Sequence, residues 1–413
     1  MKTQSLHKTR WGRLGDLLLP VLIALIFLAF VFSYYPFREK LQFDSDEGLN
    51  LMRSMLVALD HPLYSEVSSD QPPLLTHLLA ILFRIVGFEV NPARLLVLLF
   101  ATLLVWSCAQ FLQLAWGKLA AILFLPLAIM LPEYLRLSTS VMIGVPSIAL
   151  AAASLAFVAL WHHKRKGLWL ALSGCLLALS VLIKLFTGLL VPVFLIGISA
   201  AAYFPGREGG FSWKMLRPAL IWSVCFAGLT ALLGLVLVGP QNVWSIIFPH
   251  VAAPTTDWLQ GEGYSINTRL QAAVPMLLLA SLGALLAVHR RNWLTLYPLA
   301  WSVLAYASFS FYSPVFYHHQ LLVTIPAALL AAAAVGEGML SLLRLRHPSE
   351  LMRLQTILGV SALIGFVLVS IHYLPVLDKE LMDSPRLSDF TLRATSGKLK
   401  VLRALNEHID QTN

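Results

Sequence analysis

Residues 17–32 read LLLPVLIALIFLAFVF, an unbroken apolar run with Lys2, Lys8, Arg10 and Arg13 ahead of it and Tyr34-Tyr35-Pro36-Phe37 behind it. Such a run needs lipid or a core to cover it, and ~20 residues cross a hydrocarbon layer. The basic leader has the charge of a secretory signal, but bulky aromatic residues stand where a small-residue cleavage site would follow. The run is therefore expected to stay as a first span, with the N-terminus in the cytoplasm.

Ten more apolar runs lie near 93–114, 119–133, 141–161, 168–183, 187–204, 217–238, 270–288, 293–311, 319–335 and 355–374. With 58% hydrophobic residues, 12% charged residues and a mean hydropathy of +0.75, the chain cannot cover itself with polar surface in water. The sequence predicts an all-α polytopic membrane protein of about eleven transmembrane helices, within a range of ten to thirteen. The net charge of +9 sits in short Lys and Arg clusters between the runs, where it sets orientation, and nucleic acid is not an expected partner. Cys108, Cys175 and Cys225 all fall inside apolar runs without metal-type spacing, so they read as packing residues.

Residues Pro73 to Gly87 form a shorter run that opens on two prolines and contains His77 and Arg84. Counting it as a crossing would put Lys164-Arg165-Lys166, Arg290-Arg291 and Arg344/Arg346 outside. Treating it as an interfacial helix puts them inside, as the positive-inside rule requires. On that reading the outer face receives 36–92, the turns 134–140, 184 and 312–318, the loop 239–269 and everything from Pro375. The expected organisation is thus a membrane domain over 1–374, with interfacial helices in the first outer loop 36–92. An extracytoplasmic segment over 375–413 follows, read either as folding back on the outer loops or as the start of a further soluble domain.

The first outer loop opens with Asp44-Ser45-Asp46-Glu47, the densest acidic cluster in the chain. Carboxylates at a membrane face are costly and point to chemistry there. A helix is expected from Glu47 to Leu59, with Leu49, Met52, Leu56 and Leu59 on one face. Asp46 is then either an N-cap or a general base that takes the proton of an incoming hydroxyl. If the segment is extended instead, Asp44 and Asp46 point the same way and would share a divalent metal. Asp70-Gln71-Pro72-Pro73 begins the interfacial helix, and Asp70 and Gln71 read either as its cap or as groups aimed at a sugar.

This order of elements, Asp-Ser-Asp-Glu-Gly after the first span, Asp-Gln-Pro-Pro-Leu after it, then Asn91-Pro92-Ala93-Arg94, resembles the GT-C superfamily of polyprenyl-phosphate-sugar glycosyltransferases. Within it the chain is most similar to the branch of bacterial protein O-mannosyltransferases and lipid A aminoarabinose transferases. The likeness covers residues 15–200 well and the remainder by hydropathy and a histidine pair. It implies a GT-C-like bundle in which Asp46 is the catalytic base and Glu47 completes the acidic pair. It also implies a polyprenyl-phosphate-linked donor and a lipid, glycan or protein acceptor. Members commonly carry Asp in the stretch matching 140–146, where this chain has Gly144.

Lys184, alone in Leu182-Ile183-Lys184-Leu185-Phe186, is read as a snorkelling lysine or, through the resemblance, as a phosphate contact. His318 and His319 differ by ~100° in direction on a helix, so one is expected to reach the cleft while the other packs. The resemblance implies donor-phosphate binding for this pair. Arg94 and Arg136 are outer-side arginines against the usual bias, read as headgroup anchors or as phosphate ligands. Trp244, Trp258 and Tyr264 would stack on a sugar face, although interfacial aromatic residues are expected in any case. The expected activity is an inverting sugar transfer at the outer face of the cytoplasmic membrane, with membrane lipids around the spans. The rival readings are a multi-span transporter, whose halves should repeat, and a degenerate GT-C-like binding subunit.

Overall fold

Backbone N–H and C=O groups surrounded by lipid must pair within their own segment, so apolar runs of this length fold as helices. The computed structural model describes residues 10–39, 45–203, 213–252, 264–343 and 354–383. The helices are α1 (Arg10–Tyr34), α2 (Ser45–Ala58), α3 (Leu74–Val86), α4 (Val90–Ala115), α5 (Lys118–Ile129), α6 (Tyr134–Leu137), α7 (Gly144–Lys164) and α8 (Gly167–Val181). They continue as α9 (Leu190–Tyr203), α10 (Trp213–Leu237), α11 (Val243–Ala252), α12 (Ile266–Leu270), α13 (Val274–His289), α14 (Leu296–Ser310), α15 (Leu321–Leu343) and α16 (Leu354–Asp383). No β-strand occurs among the described residues beyond a single Leu63–Val67 bridge. The protein is an all-α polytopic membrane protein.

A helix occupies each of the eleven apolar runs. Seven segments among the described residues are long and apolar enough to cross a membrane, and α1, α3, α5 and α8 contribute shorter apolar stretches. The segment 73–87 is the 13-residue helix α3, a shorter apolar helix like α5 and α8. It lies against α2, and Arg84 ties the two by donating to the carbonyls of Val57 and Ala58 and pairing with Asp60. Met52, Leu59, Ile81 and Ile85 stay exposed on this pair. The last helix does not end at Pro375 but continues to Asp383, and the expected segment beyond it lies outside the described residues.

Helices α7 and α15 form the centre. The segment Leu321–Gly338 of α15 is buried throughout, and α7 nearly so. Small residues allow this: a Cβ on Gly283 would stand 2.0 Å from the Leu330 carbonyl oxygen, and one on Gly338 would stand 2.1 Å from that of Gly359. The backbones of α13, α15 and α16 therefore touch directly, the packing expected where lipid gives no hydrophobic drive between helices. One carboxylate sits in this contact. Glu337 pairs with Arg290, accepts from Gln355 Nε2 at 2.7 Å, and fastens the end of α13, α15 and α16 together.

Candidate active site

At the opposite end of the bundle from Glu337, six turns and helix ends enclose a cavity of about 440 Å³. Its polar wall includes Asp46, Asn50, Arg53, Asp70, Gln71, Lys184, His318 and His319.

Helix α2 begins at Ser45, so Asp46 lies inside its first turn rather than at the cap. Asp46, Asn50 and Arg53 recur at i, i+4 and i+7, and that stripe faces the cavity. Glu47, ~100° further round, faces the protein instead. It accepts from Arg94 Nε at 2.9 Å and Nη2 at 2.8 Å and from the Val141 N–H at 3.1 Å, while Arg94 Nη1 donates to the Phe37 carbonyl at 2.9 Å. Both side chains are fully buried. This corrects two expectations: Glu47 does not stand beside Asp46 at the cavity, and Arg94 is not a cation for phosphate there. Each satisfies the other, and together they join the turn after α1, the start of α2, α4 and the segment before α7. Breaking such a pair strands a buried charge, at a cost of about 3–5 kcal/mol. Arg94→Met is therefore expected to lower the unfolding temperature sharply and Asp46→Asn to leave it nearly unchanged, as thermal unfolding in detergent would measure.

Proline after Gln71 starts α3 only at Leu74, which leaves Asp70 and Gln71 in the turn before it, with no side-chain cap on the helix. The Leu74 N–H donates to the Leu182 carbonyl at 3.0 Å and holds this turn against the one that carries Lys184. Lys184 itself is extended between α8 and a 3-10 turn, with its carbonyl accepting from Thr187 Oγ1 at 2.9 Å. The ammonium is buried, only 6% of the residue being exposed. Burial pushes it down to about 7, against the Asp46 and Asp70 carboxylates, which favour its charge.

His318 and His319 lie on a 3-10 turn, Tyr317–Gln320, that leads into α15. Both line the cavity, contrary to the expectation that only one would. The Phe316 N–H donates to His319 Nδ1 at 3.2 Å. A backbone N–H can only donate, so the neutral ring carries its proton on Nε2 and offers a donor there. His319 is stacked on Phe309 at 5.3 Å and His318 on Phe316 at 5.9 Å. His318 Nδ1 is buried with no hydrogen-bond partner among the described residues.

Arg136 lies outside this wall, paired with Glu133 at 3.3 Å and lying over the Tyr317 ring at 4.7 Å. Asp44 and Trp258 fall outside the described residues, and Trp244 is exposed. Gly144 opens α7 and lines a small space beside Lys184 and His318, where a Cβ would meet only the His318 carbonyl oxygen at 3.9 Å. Packing thus does not require a glycine there. Wall residues not singled out from the sequence include Asn50, Arg53, Phe186 and His250. The polar i, i+4, i+7 stripe would have found the first two. Phe186 and His250, whose rings meet at 5.7 Å, carry no periodic signal. Among the described residues no group of three His, Cys, Asp or Glu is placed to hold a metal ion.

The fold is similar to that of solved proteins of the GT-C superfamily. Residues 70–244 match the family described as dolichyl-phosphate-mannose-protein mannosyltransferase. Among solved structures, the chain is similar to the archaeal oligosaccharyltransferase AglB from Archaeoglobus fulgidus in complex with an inhibitory peptide and a dolichol-phosphate. That match has a TM-score of 0.57 and 13% identity over 90% of this chain and 56% of that one. It is similar too to ArnT from Cupriavidus metallidurans bound to undecaprenyl phosphate, with a TM-score of 0.56 and 17% identity over 90% of this chain and 74% of that one. The chain thus spans little more than half the length of the archaeal enzyme. No curated protein matches it in sequence.

Proposed function

We propose that this chain transfers a sugar, with inversion, from a polyprenyl-phosphate donor to a hydroxyl acceptor at the outer face of the cytoplasmic membrane. The observation that carries the reading is that Asp46, Lys184 and His319 line one cavity although 273 positions separate the first from the last. The donor phosphate lies against the Lys184 ammonium and the His319 Nε2–H. Asp46 takes the proton of the acceptor hydroxyl as its oxygen forms a bond to the anomeric carbon. The bond from that carbon to the phosphate oxygen breaks, and the lipid phosphate leaves with its added charge met by those two donors. The Glu47–Arg94 pair acts as a positioning element for the helix that bears Asp46.

A second cavity suits the lipid. A slot of about 880 Å³ runs between α9 and α14, mostly apolar, from Pro192 and Ala307 to Arg165 and Trp293. It extends roughly 15 Å along α9 at 1.5 Å per residue. Phe186 and Phe309, whose rings meet at 5.2 Å, line a small space beside Lys184, His318 and His319. The polyprenyl chain occupies this slot while its phosphate reaches Lys184. Ala200→Trp, which fills the slot, is expected to raise the KM for a long-chain donor about tenfold and leave a short-chain donor unchanged, since the loss is of buried CH₂ contacts alone.

The direct test is the purified chain in lipid nanodiscs, supplied with a panel of polyprenyl-phosphate sugars, with release of lipid phosphate and sugar transfer measured together. Turnover of one donor is expected. Binding without turnover would mark a binding subunit, the reading that Gly144 favours, and neither binding nor turnover would remove both. In support of a transferase over a transporter, the distinctive polar residues gather at one end of the bundle, and the first loop has no counterpart in the second half.

A further inference from the structure

The turn before α3 and the cavity face of α2 leave two polar atoms of opposite kind unused. Asp70 is a carboxylate and only accepts, so the Gln71 side chain must turn its nitrogen toward it, and the Nε2 to Asp70 Oδ2 bond is 2.7 Å. The Gln71 backbone is held as firmly: its N–H donates to Ser69 Oγ at 3.2 Å and its carbonyl accepts from the Tyr64 hydroxyl at 2.8 Å. Asp70 Oδ1 accepts from Arg53 Nη2 at 3.4 Å. What remains is Gln71 Oε1, an acceptor, and Arg53 Nε, a donor. Both atoms are buried, and neither has a hydrogen-bond partner among the described residues. Both side chains line the 440 Å³ cavity.

Buried orphans of this kind are costly unless a ligand pairs them. A hydroxyl is the simple group that serves both with one oxygen, donating to Gln71 Oε1 and accepting from Arg53 Nε. An ammonium cannot accept and is repelled by the guanidinium, and a carboxylate or phosphate cannot donate. We propose that Gln71 and Arg53 together read one neutral hydroxyl of the substrate, so that the site takes a neutral polyhydroxylated sugar in preference to an amino sugar or a uronic acid. This rests on the transferase reading and names the substrate class of the same site.

The test uses the full chain in nanodiscs. Equilibrium binding is measured for a polyprenyl-phosphate hexose, its monodeoxy analogues, the matching amino-sugar and uronate donors, and sugar-free polyprenyl phosphate. In the native protein one deoxy position is expected to weaken binding about ten- to a hundredfold. Gln71→Met should weaken the parent donor by a similar factor, and the two losses should not add. Sugar-free polyprenyl phosphate should bind the variant as it binds the native protein, which verifies that the cavity is folded. Arg53→Lys, which keeps the charge beside Asp70 but lacks Nε, should also lose the discrimination. If donor binding holds in Gln71→Met while the acceptor KM rises by that factor, the hydroxyl belongs to the acceptor and the pair still reads it. Unchanged donor binding together with unchanged acceptor KM would overturn the proposal, as would an amino-sugar or uronate donor bound as tightly as the hexose. Failure of every donor and of polyprenyl phosphate itself to bind the native protein would instead bring down the transferase reading beneath it.

Discussion

Replacing Asp46 by asparagine is expected to lower kcat for sugar transfer by about 10²- to 10⁴-fold, the range a positioned general base contributes. Asparagine keeps the size and the hydrogen-bonding reach of the side chain but cannot take a proton. Binding should survive, because the groups assigned to the donor phosphate, Lys184 and His319, stand on other elements, the turn before α9 and the turn before α15. Stability should change far less than on breaking the Glu47–Arg94 pair, since Asp46 lines the cavity in the first turn of α2, where its charge gains the helix-end attraction and favours that of Lys184. Single-turnover transfer from a radiolabelled donor separates the chemical step from binding and from product release. A variant that transfers sugar at the native rate would end the assignment of Asp46. A variant that fails to bind donor at all would move Asp46 from the proton-transfer step to the binding of the phosphate or its counter-charges.

Hydropathy made the helices legible, because a lipid environment leaves an apolar run few other ways to pair its backbone. Charge parity is what sets α3 apart from the spans as an expectation. The polar residues Asp46, Asp70, Gln71, Lys184 and the histidine pair were legible for a related reason: each is an expensive group between apolar runs. Their meeting in one cavity was not, since it depends on contacts such as Leu74 N–H to the Leu182 carbonyl, made between turns more than a hundred residues apart. Glu47 illustrates the limit best. Adjacent to Asp46 in sequence, it is carried by one step of helical phase into the protein, and its partner Arg94 lies 47 residues on. The phase of α2 was readable, and it would have put Asn50 and Arg53 with Asp46 and set Glu47 apart. The identity of Glu47's partner was not readable, because nothing in the chain between them records the packing of α4 on α1.

The lysine gives the second large effect, and it carries a pH signature. Lys184→Met is expected to weaken donor binding about a hundredfold or more, since a buried phosphate would lose its cation. In the native protein the Lys184 ammonium titrates near pH 7, lowered from the ordinary lysine range chiefly by burial. A phosphodiester donor stays anionic across the neutral and alkaline range, so the lysine alone sets the trend there. Donor affinity should be level below about pH 7 and fall by up to tenfold per pH unit above it, because each binding event must then take up a proton. Lys184→Arg keeps its charge throughout that range and should bind with a flat profile. For the protein without donor the sign is opposite. Between about pH 7 and the ordinary lysine range the folded state has released a proton that the unfolded chain retains, so this group's contribution to stability rises with pH. Lys184→Met should abolish that rise while removing the affinity. Donor binding that is level to pH 9 in the native protein, or near-native affinity in Lys184→Met, would show that the phosphate is held elsewhere.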